Sequence, residues 1–531
     1  MDGMPKDTDK PDVAPRGLPT GSFDEWVEWS TGKETVKRGA VMKRAADAKD
    51  GAPAAGAARP RAFGVSLLIV TALILVAQVV AYSVHPVAPQ TPDSTEYLAR
   101  AWSIAHGGGL VDPRRTPGYP LFLDAIFAVA GWGNLGAVVA AQTALSVLTV
   151  YMIYLLGWRL ARRVWLASAI AGLCALNLYM INWQFIVRDE TYSTFLTVLL
   201  FLLVERLLAP AADSRSAGWR WLEWGGFVIV SIAMILTRLM FIYLPALLLV
   251  GIAALALWRR RARWRGVVGA LAVSGALIYA CILGYMALNG LINGYFGVSY
   301  IGSVNMFGRI ILHQQSDLSV SPQFQAEQRN LIAFERAGDG SPWDFAARYG
   351  YTSHDYAAIS AYTIDLLKRH PLSYALASLS DLRDIWLSKP LIYAPGRAAT
   401  VFSALREVGR GSLLSYDLLP LLLVWLGWRL WRNRDNHALH VLALVTLALL
   451  GTVVVLSVAA FNEYYRLRSP LDELYLLTVA LTLWDVARMF APRVWRLVYR
   501  MSPAQSAFPI KNVRGSGGID SLLTPKGLEN G

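Results

Sequence analysis

The sequence predicts an all-α polytopic membrane protein. It should have about ten transmembrane helices, outer-face juxtamembrane helices and a mainly helical extracytoplasmic domain. The 531 residues are 55% hydrophobic and only 16% charged, against about 25% charged in soluble domains. Uncharged apolar runs, most of them long enough for a roughly 30 Å hydrocarbon core, recur along the chain. Arginine clusters fall in alternate connections between these runs, the pattern that marks cytoplasmic loops.

The apolar runs lie at 62–84, 136–158, 164–187, 191–208, 224–237, 239–258, 266–287, 412–428, 438–460 and 470–487. The first follows a long polar stretch and lacks a small-residue cleavage pattern, so it reads as a span and not as a cleavable signal. Basic groups at Arg59/Arg61, Arg159/Arg162/Arg163, Arg215/Arg220, Arg259–Arg263, Arg429/Arg432/Arg434 and Arg488/Arg493/Arg496 orient the set and place both termini in the cytoplasm. The net charge of +13 then follows from topology and argues against a nucleic-acid partner. Cys174 and Cys281 sit inside apolar runs, which excludes a disulfide framework or a cysteine metal site.

Five segments result. Residues 1–61 form a disordered cytoplasmic tail, with a surface helix near Ser22–Asp47. Residues 62–287 form an N-terminal transmembrane module carrying the first outer loop, 83–135. An extracytoplasmic region at 288–411 comes next, with helices expected at Asp344–Arg369 and Ser373–Leu387 and with Pro322, Pro342, Pro371, Pro390 and Pro395 as punctuation. Residues 412–488 hold the C-terminal transmembrane helices, and 489–531 form a cytoplasmic tail, disordered after about residue 502.

The outward-facing polar residues are those that a pure membrane scaffold would not need. In the first outer loop, Pro92-Asp93 starts a helix that puts Asp93, Tyr97 and Arg100 on one face. Asp93 with Glu96 also fits a capping box, a role compatible with a reactive carboxylate aimed outward. Gly107-Gly108-Gly109 reads as a turn. Arg238 interrupts an apolar stretch, which costs roughly 2.5–3.5 kcal/mol at mid-membrane unless it lies at a tight outer turn. Arg466 and Arg468 run against the positive-inside trend. Asp189 and Glu190 fit either a helix cap or a site for an acceptor or a divalent cation. His85 and His106 flank the first loop without metal-ligand spacing.

Four short motifs, in order and on one side, resemble the GT-C glycosyltransferases, within them the protein mannosyltransferase and aminoarabinose transferase-like branch. They are Pro92-Asp93-Ser94 with Tyr97-Leu98, running on to Arg115-Thr116-Pro117-Gly118-Tyr119-Pro120; Arg188-Asp189-Glu190-Thr191-Tyr192; Leu236-Thr237-Arg238 with Leu244-Pro245; and Glu463 through Asp472. The resemblance covers about 63–260 and 412–490 and leaves 288–411 without a counterpart. It implies a GT-C-like fold and a glycosyltransferase that moves a sugar from a polyprenyl-phosphate donor to a hydroxyl on a cell-envelope glycan, lipid or protein. Transfer would occur at the extracytoplasmic face of a bacterial plasma membrane, with inversion. Asp93 would be the catalytic base. Glu96, Tyr97, Arg114, Arg115, Tyr119, Asp189, Glu190, Arg238, Glu463, Arg466 and Arg468 would bind donor or acceptor among membrane lipids. No cofactor is implied beyond a possible divalent cation.

The residues fit that reading on their own terms. No strand–Gly-rich loop–helix unit for a nucleotide sugar is visible, and the one Asp-x-Asp, Asp7-Thr8-Asp9, lies in the polar tail. A donor used outside must carry its activating group in the membrane. A flippase or secondary transporter would predict Gly/Pro-broken spans repeated in two halves, and no such repeat is present. An O-antigen ligase or polymerase would concentrate arginines in a long outer loop. An inactive scaffold is the remaining alternative.

Overall fold

The computed structural model describes residues 58–84, 91–209, 216–258, 264–338, 340–351, 355–386, 416–461 and 463–501. The expectations for most of the N-terminal tail, His85, Arg215, Arg259–Arg263, Pro390, Pro395 and the residues after 501 fall outside these. The chain divides into two units, Met1–Val65 and Ser66–Gly531. The first contributes only the opening turns of one helix to the described residues, and the second holds all the others.

The first half is a run of helices: α1 (Ala58–Val84), α2 (Pro92–Ala105), α3 (Gly118–Ala130), α4 (Leu135–Ala161), α5 (Val164–Ala175), α6 (Leu178–Gln184), α7 (Glu190–Leu208), α8 (Ala217–Thr237), α9 (Leu244–Trp258) and α10 (Trp264–Asn293). A 3₁₀ turn, Leu239–Tyr243, joins α8 to α9. Then come α11 (Ile301–Leu312), α12 (Gln325–Arg336), α13 (Pro342–Arg348), α14 (Tyr356–Arg369) and α15 (Pro371–Trp386). The chain continues with α16 (Leu419–Arg432), α17 (His437–Ala459), the short α18 (Tyr464–Arg468) and α19 (Asp472–Met501). No strand occurs among the described residues.

Seven helices among the described residues are long and apolar enough to cross a membrane: Phe63–Ser83, Leu135–Ala161, Glu190–Leu208, Gly218–Thr237, Leu239–Trp258, Arg265–Asn293 and His437–Ala459. Leu68, Leu75 and Val79 of α1, and Val273, Leu277 and Leu288 of α10, are exposed. Apolar faces of that extent are suited to lipid and not to water. The chain is an integral membrane protein.

Three of the ten expected spans do not form as single long apolar helices. The run at 164–187 breaks at Leu176. There the Asn177 side chain accepts the Tyr179 N–H at 3.3 Å and caps a second, short helix. The described helix in the 412–428 run has only 14 residues. The 470–487 run lies mostly in a 30-residue helix that opens on Asp472 and Glu473 and is not among the seven. The helix expected at Asp344–Arg369 is likewise two helices, separated at Gly350, whose φ is +69°.

Two cores position the site. Below it, α2, α3, α4 and the α6–α7 connection share a cluster that includes Tyr97, Tyr119, Leu123, Val138 and Phe185. Beside it, α11 to α15 close around Phe307, Ile310, Leu331, Phe334, Phe345 and Tyr362. Within this second core α11 packs on both α14 and α13.

The start of α3 approaches the end of α8 closely. A Cβ on Gly118 would stand 2.6 Å from the Leu236 carbonyl and the Thr237 nitrogen, both backbone atoms that cannot swing aside. Gly118→Ala is therefore expected to cost about 1–3 kcal/mol, read as a lowered melting temperature in detergent. Gly136→Ala is the control, because its nearest neighbour is a side-chain atom at 3.4 Å. Equal melting temperatures for the two variants would contradict this account.

Candidate functional site

Asp93 stands in the first turn of α2. The helix is capped by Thr91, whose side chain accepts the Ser94 N–H at 3.3 Å while Ser94 reaches back to the Thr91 N–H at 3.1 Å. The expected Asp93–Glu96 capping box is therefore replaced by Thr91 with Ser94, and both carboxylates are left to bind elsewhere. Three arginines from distant parts of the chain hold Asp93: Arg115 at 2.5 Å, Arg466 at 2.7 Å, and Arg188.

The loop before α3 presents Arg114 and Arg115. Asp112 Oδ1 accepts the backbone N–H groups of Arg114 and Arg115 at 2.8 and 2.7 Å. With Pro113 between them, this makes a tight turn that points both side chains the same way. Glu96 takes both guanidiniums, Arg115 at 2.6 Å. Arg115 also lies over the Tyr97 ring, 4.6 Å from its centroid.

Arg238 sits between α8 and the 3₁₀ turn, 8% exposed, and forks onto both Asp189 oxygens at 2.8 Å while reaching Glu190 at 2.8 Å. Its Nη1 donates to the Arg466 carbonyl at 3.3 Å. Glu463 has φ +51°, in the left-handed region, a cost of roughly 1–2 kcal/mol for a side chain with a Cβ. From there its carboxylate pairs with Arg466 at 2.8 Å. Five arginines and five carboxylates thus form one connected network.

Burial alone would raise the Asp93 pKa, but Arg466, Arg115 and Arg188 outweigh it and hold the carboxyl well below its usual range. At Asp189 burial is again opposed, chiefly by Arg238, and the pKa is lowered. Burial beside Asp189 and Asp93 pushes the Tyr97 hydroxyl far up. Tyr97 therefore stays neutral.

The network forms one wall of a cavity of about 360 Å³, to which Arg114, Arg115, Arg238, Arg466, Asp189 and Tyr97 contribute. The facing walls are apolar, built by Leu239, Met240 and Ile242 from the 3₁₀ turn, Val455 and Leu456 from α17, and Met306 from α11. Asp93 does not line the cavity; of the three arginines that hold it, Arg115 and Arg466 do.

Helix α11 ties the arginine-bearing segments together. At its N-terminal end the Tyr300 N–H donates to the Pro113 carbonyl at 2.8 Å and Ser299 Oγ to the Arg114 carbonyl at 2.5 Å. Two turns on, Arg309 is 1% exposed and paired with Asp381, and it donates to the Ala460 carbonyl at 3.4 Å. Tyr464, two residues before Arg466, donates to Asp381 at 3.2 Å.

No family model matches the chain, and no curated protein matches it. Several solved structures are similar at low identity, three of them as follows. ArnT from Cupriavidus metallidurans bound to undecaprenyl phosphate is 14% identical with a TM-score of 0.41, covering 84% of this chain and 66% of that one. The oligosaccharyltransferase of Archaeoglobus fulgidus in the apo form is 13% identical with a TM-score of 0.42, covering 81% of this chain and 52% of that one. The A. fulgidus oligosaccharyltransferase AglB with an inhibitory peptide and a dolichol-phosphate is 11% identical with a TM-score of 0.40, covering 83% and 52%. The chain spans just under two thirds of the first structure's length and about half that of the other two.

The residues expected at the site fall into two groups. Asp93, Glu96, Tyr97, Arg114, Arg115, Asp189, Glu190, Arg238, Glu463 and Arg466 converge. Tyr119 instead lies in the core, fully buried and donating to Gln142 at 2.8 Å. Arg468 is 1% exposed, stacked on Tyr416 and Tyr465 and donating to the Ile385 carbonyl at 3.0 Å; it braces α18 and does not reach the cavity. Asp189 and Glu190 make no side-chain cap and serve as the counter-charge to Arg238. Arg100 leaves the Asp93 face to donate to the Gly109 carbonyl at 3.0 Å. His106 Nδ1 donates to the Trp102 carbonyl at 2.8 Å. Among the described residues no group of three or more His, Cys, Asp or Glu could hold a metal. Sequence reasoning gave no role to Arg188 or Asp112. Arg188 was visible as one more cation on the side predicted to face outward, and Asp112 as an Asp-Pro turn signal.

A carboxylate with a depressed folded pKa adds stability that is complete above the unfolded value, near 3.9 for Asp, and is lost as pH falls toward the folded value. Melting temperature should therefore drop below about pH 4 in wild type and more shallowly in Asp93→Asn. At pH 6 Asp93→Asn should be less stable by about 2 kcal/mol. That is below the roughly 3–5 kcal/mol of a fully buried pair, because Asp93 keeps 22% exposure. Parallel pH profiles for the two proteins would show that the network does not depend on Asp93.

Proposed function

We propose that this protein is a membrane glycosyltransferase that moves a sugar from a polyprenyl-phosphate donor to a hydroxyl acceptor at the extracytoplasmic face. The observation that carries the reading is the two-sided cavity, with guanidiniums on one wall and apolar residues at the ends of two candidate spans on the others. A lipid phosphate matches both walls: its anion takes Arg115, Arg238 or Arg466, and its chain lies against Leu239, Met240, Val455 and Leu456. Arginine suits this role because its planar fork pairs with phosphate oxygens.

The reaction is a single displacement. The acceptor oxygen forms a bond to the anomeric carbon as the bond from that carbon to the phosphate oxygen breaks. The phosphate leaves with the electron pair, and its charge falls on the arginines. The acceptor proton passes to Asp93, and attack from the opposite face inverts the anomeric centre. The Asp93 pKa is depressed because all three arginines serve that carboxylate. A phosphate that draws Arg115 and Arg466 to itself weakens their hold, so the carboxylate gains proton affinity when a proton is to be taken.

Transfer of radiolabel from a polyprenyl-phosphate sugar in membranes should fall about 10²- to 10⁴-fold in Asp93→Asn. Turnover near wild type at normal expression would remove Asp93 from the chemistry. Arg466→Ala should raise the donor KM by roughly tenfold or more, the loss of one charge-assisted contact, with a smaller change for the acceptor. Equal changes in the two would place Arg466 away from the donor.

A further inference from the structure

The cavity wall contributed by α11 consists of Ile301, Gly302, Asn305 and Met306, together with Ser299 just before the helix. Three of the four helical residues are apolar or lack a side chain, so Asn305 is the one polar group on that face. The other polar side chains lining the cavity are already bonded to protein. Thr116 donates to the Thr237 carbonyl, Ser299 to the Arg114 carbonyl and Tyr243 pairs with Thr452. Thr237 donates to the Ala233 carbonyl, and Tyr97, Asp189 and the arginines belong to the network. Among the described residues the Asn305 amide has no hydrogen-bond or ion partner.

Local structure gives no reason for an asparagine here. Mid-helix Asn is a poorer helix former than Ala or Leu, because its side chain competes for backbone groups. Asn305 neither caps α11, which runs Ile301–Leu312, nor bonds to a neighbour. What it offers is one carbonyl acceptor and two N–H donors, uncharged, in a cavity whose other polar groups are mostly ionic. A sugar ring carries vicinal hydroxyls that both donate and accept, and a neutral amide matches them without competing for the phosphate.

We infer that Asn305 hydrogen-bonds the sugar of the lipid-linked donor and is a specificity-determining residue of the transfer. This rests on the function proposed above. The arginines would recognise the phosphate common to all such donors, and Asn305 would recognise what distinguishes one from another.

The test uses the full chain in nanodiscs, with wild type, Asn305→Ala and the similarly sized, uncharged Asn305→Leu. The probes are undecaprenyl phosphate, its glucose ester and its ribose ester, and binding is measured for each. The expected result is a wild type that binds one sugar ester more tightly than undecaprenyl phosphate. Asn305→Ala should weaken that ester roughly three- to tenfold, the worth of one or two neutral hydrogen bonds, and leave undecaprenyl phosphate within about twofold. Asn305→Leu, which keeps the size and loses both the donors and the acceptor without adding charge, should also weaken the ester. The assignment is overturned if wild type gains nothing from either sugar, or if the variants lose all three lipids equally or none of them. A wild type that binds none of the three removes the proposed function itself, a different and distinguishable failure.

Discussion

The site depends on one carboxylate, Asp93, held by guanidiniums from three separate stretches of chain. Neither partner would be tolerated alone in this position. A partly buried carboxylate without cations would take up a proton, and arginines packed this closely without anions would repel one another. The surrounding fold can be read as the machinery that brings them together. The Thr91–Ser94 cap frees Asp93, the Asp112 turn aims Arg114 and Arg115, and the left-handed Glu463 steers Arg466. Arg238 with Asp189 and Glu190 forms a second knot, joined to the first through Arg466.

The network is placed where charge meets grease. On one side it stands over the core shared by α2, α3 and α4. On the other it opens to a cavity whose remaining walls come from the 3₁₀ turn before α9, the end of α17 and the first half of α11. An anion with an apolar tail can satisfy both walls, whereas a free sugar nucleotide would leave the apolar ones uncovered. Because these arginines are already paired, an anion binding at this wall would enter by exchange and would not fill unpaired cationic sites. Affinity then reflects the difference between two sets of ion pairs, which tunes binding without lowering the cost of burying charge.

Much of this was legible in the sequence, for identifiable reasons. Spans with long uncharged runs, such as Leu135–Ala161 and His437–Ala459, follow from hydropathy alone. Asp93, Arg238 and Arg466 stood out because each is a charge in a position that the arginine pattern predicts to face outward and that topology does not require. Where expectation and structure part, the cause is a signal with no one-dimensional trace. Asp93 and Glu96 have the spacing of a capping box, but Thr91 and Ser94 close the box two residues earlier. Arg468 has the same sequence context as Arg466, and two residues along a single-turn helix send it to the opposite side, against Tyr416 and Tyr465. The run at 164–187 is apolar enough to span, but one asparagine divides it. The bridging role of α11 lies in the region where no resemblance was available, and contacts such as Arg309 with Asp381 are invisible until the chain is folded.

That bridge has a bearing on how such a protein could change its ligand. The face of α11 that looks into the cavity, around Asn305 and Met306, is separate from the residues that grip neighbouring segments, Tyr300 at one end and Arg309 at the other. A cavity-facing position can be exchanged without altering the span between the Pro113 and Ala460 anchors, so the spacing of the guanidiniums survives. Drift at either anchor would shift that spacing whatever the ligand. A change of ligand by substitution would thereby fall on a few positions of one helix and leave the charged apparatus beside it in place.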